Sequence, residues 1–278
     1  MKDFLISRGI EFFSLIPLKK CKIIKEYLLT NNGFDENDNA VMMLFPYRSE
    51  QTPVNISVYA SVPDYHIFIK ELASELEAYM LSKYPSARFK MFADHSPIDE
   101  VHASCISGLG FIGDNGLLIN EKYSSFVFLG EAITSLGPSE TGIDFSYSED
   151  VKGCLHCGKC ARACPCGCIV PRDECSGISP KAQCLSAITQ KKGELSVDEI
   201  KLMKNNNTVW GCDICQSCCP YTISAEATPI EYFRKNIITN LTSEALDKMS
   251  EEEFLSRPFS WRGRGVVERN LRLLNDKE

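Results

Sequence analysis

The sequence predicts an α+β protein in three parts. A mixed α/β domain covers about residues 1–147, a two-cluster ferredoxin-like iron–sulfur domain covers 148–225, and a short helical segment covers 226–278. Strand-like and helix-like apolar runs mix in the first half without a strict βαβ rhythm. A cysteine array with two C-P endings fills the middle, and stretches such as SEALDKMSEEEFLS follow it.

In chain order, PLKKCKIIKEYLLT (17–30) reads as a helix closed by Asn31-Asn32-Gly33. AVMMLFPY (40–47) is a short apolar run ended by proline, a buried strand. NISVYASV (55–62) reads as another strand. Residues 66–84 carry Ile67, Ile69, Leu72, Leu76, Tyr79 and Met80, most of them at the spacing of an amphipathic helix, and Pro85 stops it. ARFKMFAD (87–94) and SFVFLGEAITS (125–135) read as strands, and TPIEYFRKN and SEALDKMSEEEFLS as helices.

Composition narrows the function classes. Of 278 residues 44% are hydrophobic and 24% charged, an ordinary globular balance. No segment approaches the roughly 18 uninterrupted apolar residues of a membrane helix. The net charge of −7 argues against an extended nucleic-acid surface, although Arg257, Arg262, Arg264, Arg269 and Arg272 form a local basic group. The N-terminus lacks the features of a secretory signal, so the expectation is a reduced, cytoplasmic protein.

The cysteines carry the sharpest chemistry. Cys154, Cys157, Cys160 and Cys164 with Pro165 read C-x2-C-x2-C-x3-C-P, the bacterial ferredoxin run whose fourth cysteine ligates the other cluster. Cys184, Cys212-x2-Cys215 and Cys219-Pro220 form the partner set. Cys154, Cys157, Cys160 and Cys219 are thus expected on one [4Fe–4S] cluster, and Cys164, Cys184, Cys212 and Cys215 on the other. Structural zinc uses closed four-ligand sets and makes no use of the x3-C-P ending. Cys218 leaves a register ambiguity, since it completes C-x2-C-x2-C from Cys212; Pro220 favours Cys219. Cys166, Cys168 and Cys175 are spare ligands, a third metal site or buried apolar residues, and Cys21 and Cys105 read as core.

Residues 94–119 combine acids, a histidine and a glycine-rich turn. Gly108, Gly110 and Gly113 allow close backbone approach or positive φ. GLGFIG is G-x-G-x-x-G, but no clear strand of a βαβ unit precedes it, so a dinucleotide site is not expected. Asp94 closes a predicted strand. It serves either as a turn or cap residue or, if a pocket raises its pKa, as a proton donor.

DYH (64–66), D-x-x-P-x-x-E (Asp94, Pro97, Glu100), GLGFIGDN (108–115), FLGE-x-x-T (128–134), CLHCGKCARACP and WGCDICQSCCP together resemble the epoxyqueuosine reductase family. That family is itself similar to the reductive dehalogenases in using cobalamin beside two [4Fe–4S] clusters. The resemblance implies a cobalamin in the N-terminal domain, near Gly108, Gly110, Gly113 and Asn115. It also implies that Asp94 is the proton donor, and that a low-potential ferredoxin or flavodoxin supplies electrons. The family usually has arginine where this chain has Val101 and lysine where it has Asp114. Its longer members continue into a helical-repeat domain that helps grip tRNA, and the chain stops about where that domain would begin. That weighs against a substrate as large as tRNA without excluding it: the substrate is an epoxyqueuosine-like nucleoside in RNA or an unrelated small molecule, and a two-cluster electron-transfer protein without cobalamin is the alternative.

Overall fold

A computed structural model describes residues 1–151, 153–170, 177–178 and 183–275, with backbone alone at 177–178. In chain order the elements are α1 (Lys2–Ser7), β1 (Phe12–Pro17), α2 (Glu26–Thr30), β2 (Asn39–Pro46), α3 (Val58–Ser61), α4 (Tyr65–Lys83), β3 (Phe89–Phe92), α5 (Glu100–Ile106), β4 (Phe111–Ile112), β5 (Leu118–Ile119), β6 (Val127–Thr134) and α6 (Pro138–Thr141). Then come α7 (Lys159–Ala163), β7 (Ile169–Val170), β8 (Gly177–Ile178), α8 (Leu185–Thr189), α9 (Val197–Asn205), α10 (Ile214–Ser217), α11 (Ser243–Lys248), α12 (Glu251–Leu255) and α13 (Arg264–Asn275). The chain sorts into two compact units: Met1–Pro46, Tyr65–Gly113 and Leu117–Leu155 in the first, and Tyr47–Asp64, Asp114–Gly116 and His156–Glu278 in the second. A single cut near residue 147 misses these exchanges, because 47–64 and 114–116 leave the first unit in space but not in sequence.

The first unit is built on an antiparallel sheet in the order β1-β2-β6-β3. β2 is buried at every position from Ala40 to Pro46, which explains its unbroken apolar run. Successive side chains point to opposite faces. Ala40, Met42 and Leu44 join Ile16, Ile133 and the α5 residues Ala103 and Ile106 in one cluster. On the other face Phe45 meets Phe68 of α4 edge-on at 5.6 Å. β6 carries Val127, Leu129 and Ile133 to the α5 side, and by the same alternation Glu131 points there too.

One local expectation fails in this unit, and one strand was not expected. Residues 17–30 are not one helix: β1 ends at Pro17, a 3₁₀ turn follows at Leu18–Lys20, and only Glu26–Thr30 is α-helical. Tertiary pairing overrides propensity. The N–H groups of Ile24 and Lys25 both donate to the Pro97 carbonyl (2.8 and 3.1 Å), and Ile23 bridges Ile98. β1 itself gave no clear signal in the sequence.

The second unit packs around Trp210, which has no solvent exposure and is surrounded by Ile56, Ala60, Val209, Phe254, Phe259, Val267 and Leu271. Residues 55–62 are not a strand. The Ser57 N–H donates to the Trp210 carbonyl (2.8 Å), the Val58 N–H donates to the Asp213 carboxylate (2.6 Å), and the chain then turns into α3. TPIEYFRKN keeps only a 3₁₀ turn at Glu231–Arg234. SEALDKMSEEEFLS divides into α11 and α12, because Ser250 caps a new helix through the Glu253 N–H.

Candidate functional site

The cysteines of the second unit are held on short helices and loops. α7 presents Cys160 and α10 presents Cys215, while Cys157, Cys164, Cys184, Cys212 and Cys219 flank helices. Cys154 is among the last residues of the first unit. No disulfide joins the thirteen described cysteines; Cys175 lies outside the described residues. Burial pushes the Cys215 thiol up to about 12, and the nearby Cys212, Cys184 and Cys164 push the same way. Burial likewise raises Cys212 to about 11, with Cys184 and Cys164 contributing. Cys164, Cys184, Cys212 and Cys215 are therefore neighbours, and their crowding opposes ionisation of Cys212 and Cys215. A cationic iron–sulfur core reverses that balance.

Cys164 behaves differently. Burial opposes its thiolate, but hydrogen bonds from the N–H groups of Cys168, Cys166 and Ile169 and from the Cys168 thiol outweigh it, and its pKa falls. Cys168 is buried, its sulfur lies 3.3 Å from that of Cys164, and burial together with Cys164 raises its own pKa to about 12. Cys166 packs with Leu185, Ile188 and Met203. Cys168 and Cys166 thus have structural employment beside a preorganised thiolate, and the donor chemistry fits iron–sulfur ligation. In the other set, burial raises Cys160, Asp114 and Cys218 add to it, and Cys218 in turn senses Cys219 and Cys157. Cys218 and Cys219 both stay in range of that set.

Asp114, where the family has lysine, is buried and pairs with His156 Nδ1 through its Oδ1 at 2.8 Å. Val101 packs against the α5-side core. Both departures are absorbed locally. The basic group is also largely committed. Arg257 donates to the Asn236 carbonyl (2.6 Å), Arg264 to those of Leu246 and Met249 (2.7 and 3.1 Å), and Arg269 to those of Lys191 and Gly193 (2.7 and 2.5 Å).

In the first unit Asp94 forms a second focus. It has φ +60° without being glycine, and the His95 N–H donates to the Ala93 carbonyl at 2.6 Å, closing a three-residue γ-turn on Asp94. Such strained backbone gathers at functional sites. Tyr65 and His66, the first residues of α4, reach it: the Tyr65 hydroxyl donates to Oδ2, and His66 Nε2 lies 3.0 Å from the same oxygen. Tyr65 stacks on Phe128 of β6 at 4.1 Å and 12°. Sixty per cent of the Asp94 side chain remains accessible. Partial burial pushes its pKa up, but the hydrogen bonds from His66 and Tyr65 and the charge of Lys25 win, and the net direction is down. This is the reverse of the raised pKa considered for a proton donor at this position. The resting carboxylate is ionised, and its neighbours carry the hydrogens.

The glycine turn has work inside the chain. A Cβ on Gly110 would stand 2.4 Å from the Ile119 carbonyl oxygen, so this glycine lets β4 close on β5. Gly108, at φ +83°, is exposed and ends the turn after α5. The buried Gly113 donates its N–H to the Leu117 carbonyl (2.9 Å), and Asn115 is buried.

Glu100 and Glu131 were motif residues without an assigned role. Glu131 is fully buried on the central strand β6, and Glu100 opens α5. Burial lifts Glu100 to about 7, and burial followed by Glu100 lifts Glu131 well above the carboxylate range. An acid inside an apolar strand run was the available signal.

A sheet-based α/β unit and two cysteine sets in one chain define a double-cluster iron–sulfur protein. Residues 153–222 match the family model described as a 4Fe-4S double cluster binding domain. The chain is 32% identical over 225 residues to an epoxyqueuosine reductase from Leadbetterella byssophila, covering 79% of this chain and 70% of that protein. It is 31% identical over 248 residues to one from Listeria monocytogenes, covering 83% and 61% respectively. The fold also matches a crystal structure of epoxyqueuosine reductase with an epoxyqueuosine-modified tRNA-Tyr stem loop, at TM-score 0.75 and 23% identity over 98% of this chain and 79% of that one. The chain belongs to the epoxyqueuosine reductase family. It spans about three fifths of the length of the Listeria relative. Among the described residues no helix is long and apolar enough to cross a membrane.

Proposed function

We propose that the chain is a reductase in which electrons pass through two [4Fe–4S] clusters to a cobalamin, with the proton handled at the Tyr65–His66–Asp94 corner. The observation that carries this is the convergence of two separate motifs, DYH and D-x-x-P-x-x-E, on one strained and accessible carboxylate. The proposed cluster ligands are Cys154, Cys157, Cys160 and Cys219 for one cluster, and Cys164, Cys184, Cys212 and Cys215 for the other. Bound cobalamin supplies the reducing chemistry itself.

The stacked Tyr65–Phe128 rings beside Asp94 offer a flat wall suited to a flat macrocycle. Of Gly108, Gly110, Gly113 and Asn115, Gly108 alone is exposed, so its backbone is the proposed contact from that turn. The Tyr65 hydroxyl and His66 Nε2 hold the hydrogens at rest, and the Asp94 carboxylate takes a proton from one of them at Oδ2 and relays it to substrate. Reductive removal of an epoxide oxygen needs protons as well as electrons, and a positioned acid supplies them at the reacting atom. The proposed substrate is nucleoside-like or a small molecule with a similarly reducible bond. The proposed electron donor is a low-potential ferredoxin or flavodoxin.

The test is the visible spectrum of anaerobically reconstituted protein after incubation with cobalamin and desalting. Retained corrin bands over iron–sulfur absorption support the reductase. Iron–sulfur absorption alone, at full cluster loading, selects a two-cluster electron carrier instead.

A further inference from the structure

We infer that Glu100 and Glu131 share a single proton inside the first unit and that this acid pair positions the turn carrying Asp94. The inference rests on the proposed role of Asp94 for its functional meaning, but its structural content is independent.

Glu131 projects from the centre of β6 to the face on which α5 packs, and Glu100 opens α5, which brings the two carboxyl groups close enough to act on each other. Each has one buried oxygen with no ordinary hydrogen-bond partner, Oε1 of Glu100 and Oε2 of Glu131. A buried acceptor without a donor is costly, and two facing carboxylates are costlier still. One proton held between the two groups removes both problems, because it turns one carboxylate into a donor for the other.

Their remaining contacts run to the Asp94 turn. The Asp94 backbone N–H is close enough to Glu100 to favour its charged form. Glu131 Oε1 accepts the Ser96 hydroxyl at 2.5 Å. Ser96 Oγ also accepts the Ile98 N–H at 3.0 Å, which closes the segment. The γ-turn at Asp94 is thus tied to the acid pair through Ser96 on its C-terminal side, with Glu100 facing the Asp94 N–H, and strained backbone persists where its surroundings over-determine it.

The titratable and charged groups around the pair are few. Asp94 acts on both acids, and Lys25 opposes it at Glu100. Lys25 also meets His95 Nδ1 at 3.3 Å, and His66 sits on Asp94. Cys21 lies behind Glu131 and stays a neutral thiol, since burial pushes it up to about 12. His102, two residues along α5, has a buried Nδ1 without a partner. Loss of the shared proton leaves two adjacent carboxylates with Asp94 as a third negative group, so the turn loosens as pH rises.

The experiment uses the anaerobically reconstituted full chain. Hydrogen exchange of segment 93–98, corrected for intrinsic rates, is followed from about pH 5 to pH 9 alongside the infrared carboxylic C=O stretch. The wild type should show a buried carboxylic band that fades as pH rises. Protection of the segment should fall about tenfold over the same range, the worth of one lost hydrogen bond. Glu131→Gln puts an amide N–H where the shared proton sits, so it should keep protection across the range and abolish the titration. A wild type whose protection is flat with pH, or which lacks a carboxylic band at the acid end, overturns the inference. The wild-type measurement decides even if the variant does not fold. Turnover separates the two proposals: if Asp94→Asn leaves the rate unchanged while the band and the protection titrate together, the acid pair stands and the proton role of Asp94 falls.

Discussion

Replacing Gly110 with alanine separates a glycine kept for the fold from one kept for a ligand. The new Cβ would stand 2.4 Å from the Ile119 carbonyl oxygen, 2.9 Å from its carbon and 3.3 Å from the Asn120 nitrogen. Carbon and oxygen meet across strands at about 3.3–3.6 Å, so the methyl intrudes by roughly 0.9 Å. All three obstacles are backbone, and none can swing aside as a side chain would. Relief means opening β4 from β5, where Phe111 pairs with Ile119, and straining the hydrogen bond from Asn120 Nδ2 to the Leu109 carbonyl (2.8 Å). The cost belongs at the upper end of the overpacking range, about 3 kcal/mol, or roughly 5–10 °C in Tm for a chain of this size. Thermal unfolding of matched, fully loaded samples reads it directly. A Gly110→Ala protein that melts with the wild type but loses cobalamin affinity would refute the reasoning and return Gly110 to the cofactor.

Asp94→Asn should retain both clusters and any bound cobalamin but lower single-turnover rates by about a hundredfold or more, the usual weight of a positioned acid; equal rates at equal loading remove Asp94 from the chemistry. Cys219→Ala should lose about half of the roughly eight irons expected of two clusters, and Cys218→Ala should lose none; the opposite outcome in iron and sulfide analysis shifts the ligand register by one. Glu100 has a folded pKa of about 7 against 4.5 unfolded, so the native state binds the proton more tightly. The contribution of Glu100 to stability is then full below about pH 4.5 and is lost as pH rises through about 7. Denaturant titrations of wild type and Glu100→Gln should differ by that slope, and parallel profiles contradict it. Gly265→Ala, in α13 with nothing within 4 Å of the new Cβ, should stabilise by about 0.5–1 kcal/mol.

Strong patterns in the sequence translated directly into structure. β2 and α4 carry apolar residues that meet solid partners on the faces their spacing implies, and the cysteine spacing groups Cys164, Cys184, Cys212 and Cys215 as neighbours. Local pattern misled where distant backbone decided. Ile23–Lys25 bond to Pro97–Ile98, and Ser57–Val58 bond to Trp210 and Asp213, so neither stretch follows its own propensity. The Asp94 corner was half legible. The motif acid was visible, but its partners sit 28 and 29 positions earlier in the chain, and its pKa depends on them. The glycine turn misled for another reason: a need for close approach looks the same in sequence whether the approaching group is a ligand or the chain's own carbonyl.

Glu131 has one further consequence, for how the sheet finds its alignment. It pairs in register with Met42 of β2 and Phe92 of β3. A slip of one position would turn the carboxyl onto the α4 face, away from Glu100 and from the Ser96 hydroxyl. A slip of two would keep the face but carry the acid about 7 Å along the strand, out of reach of both. An apolar residue at this place would tolerate either error, since the flanking positions are apolar as well. The buried acid makes misaligned sheets carry an unpaired charge, so Glu131→Leu should loosen the choice of register even where it adds stability.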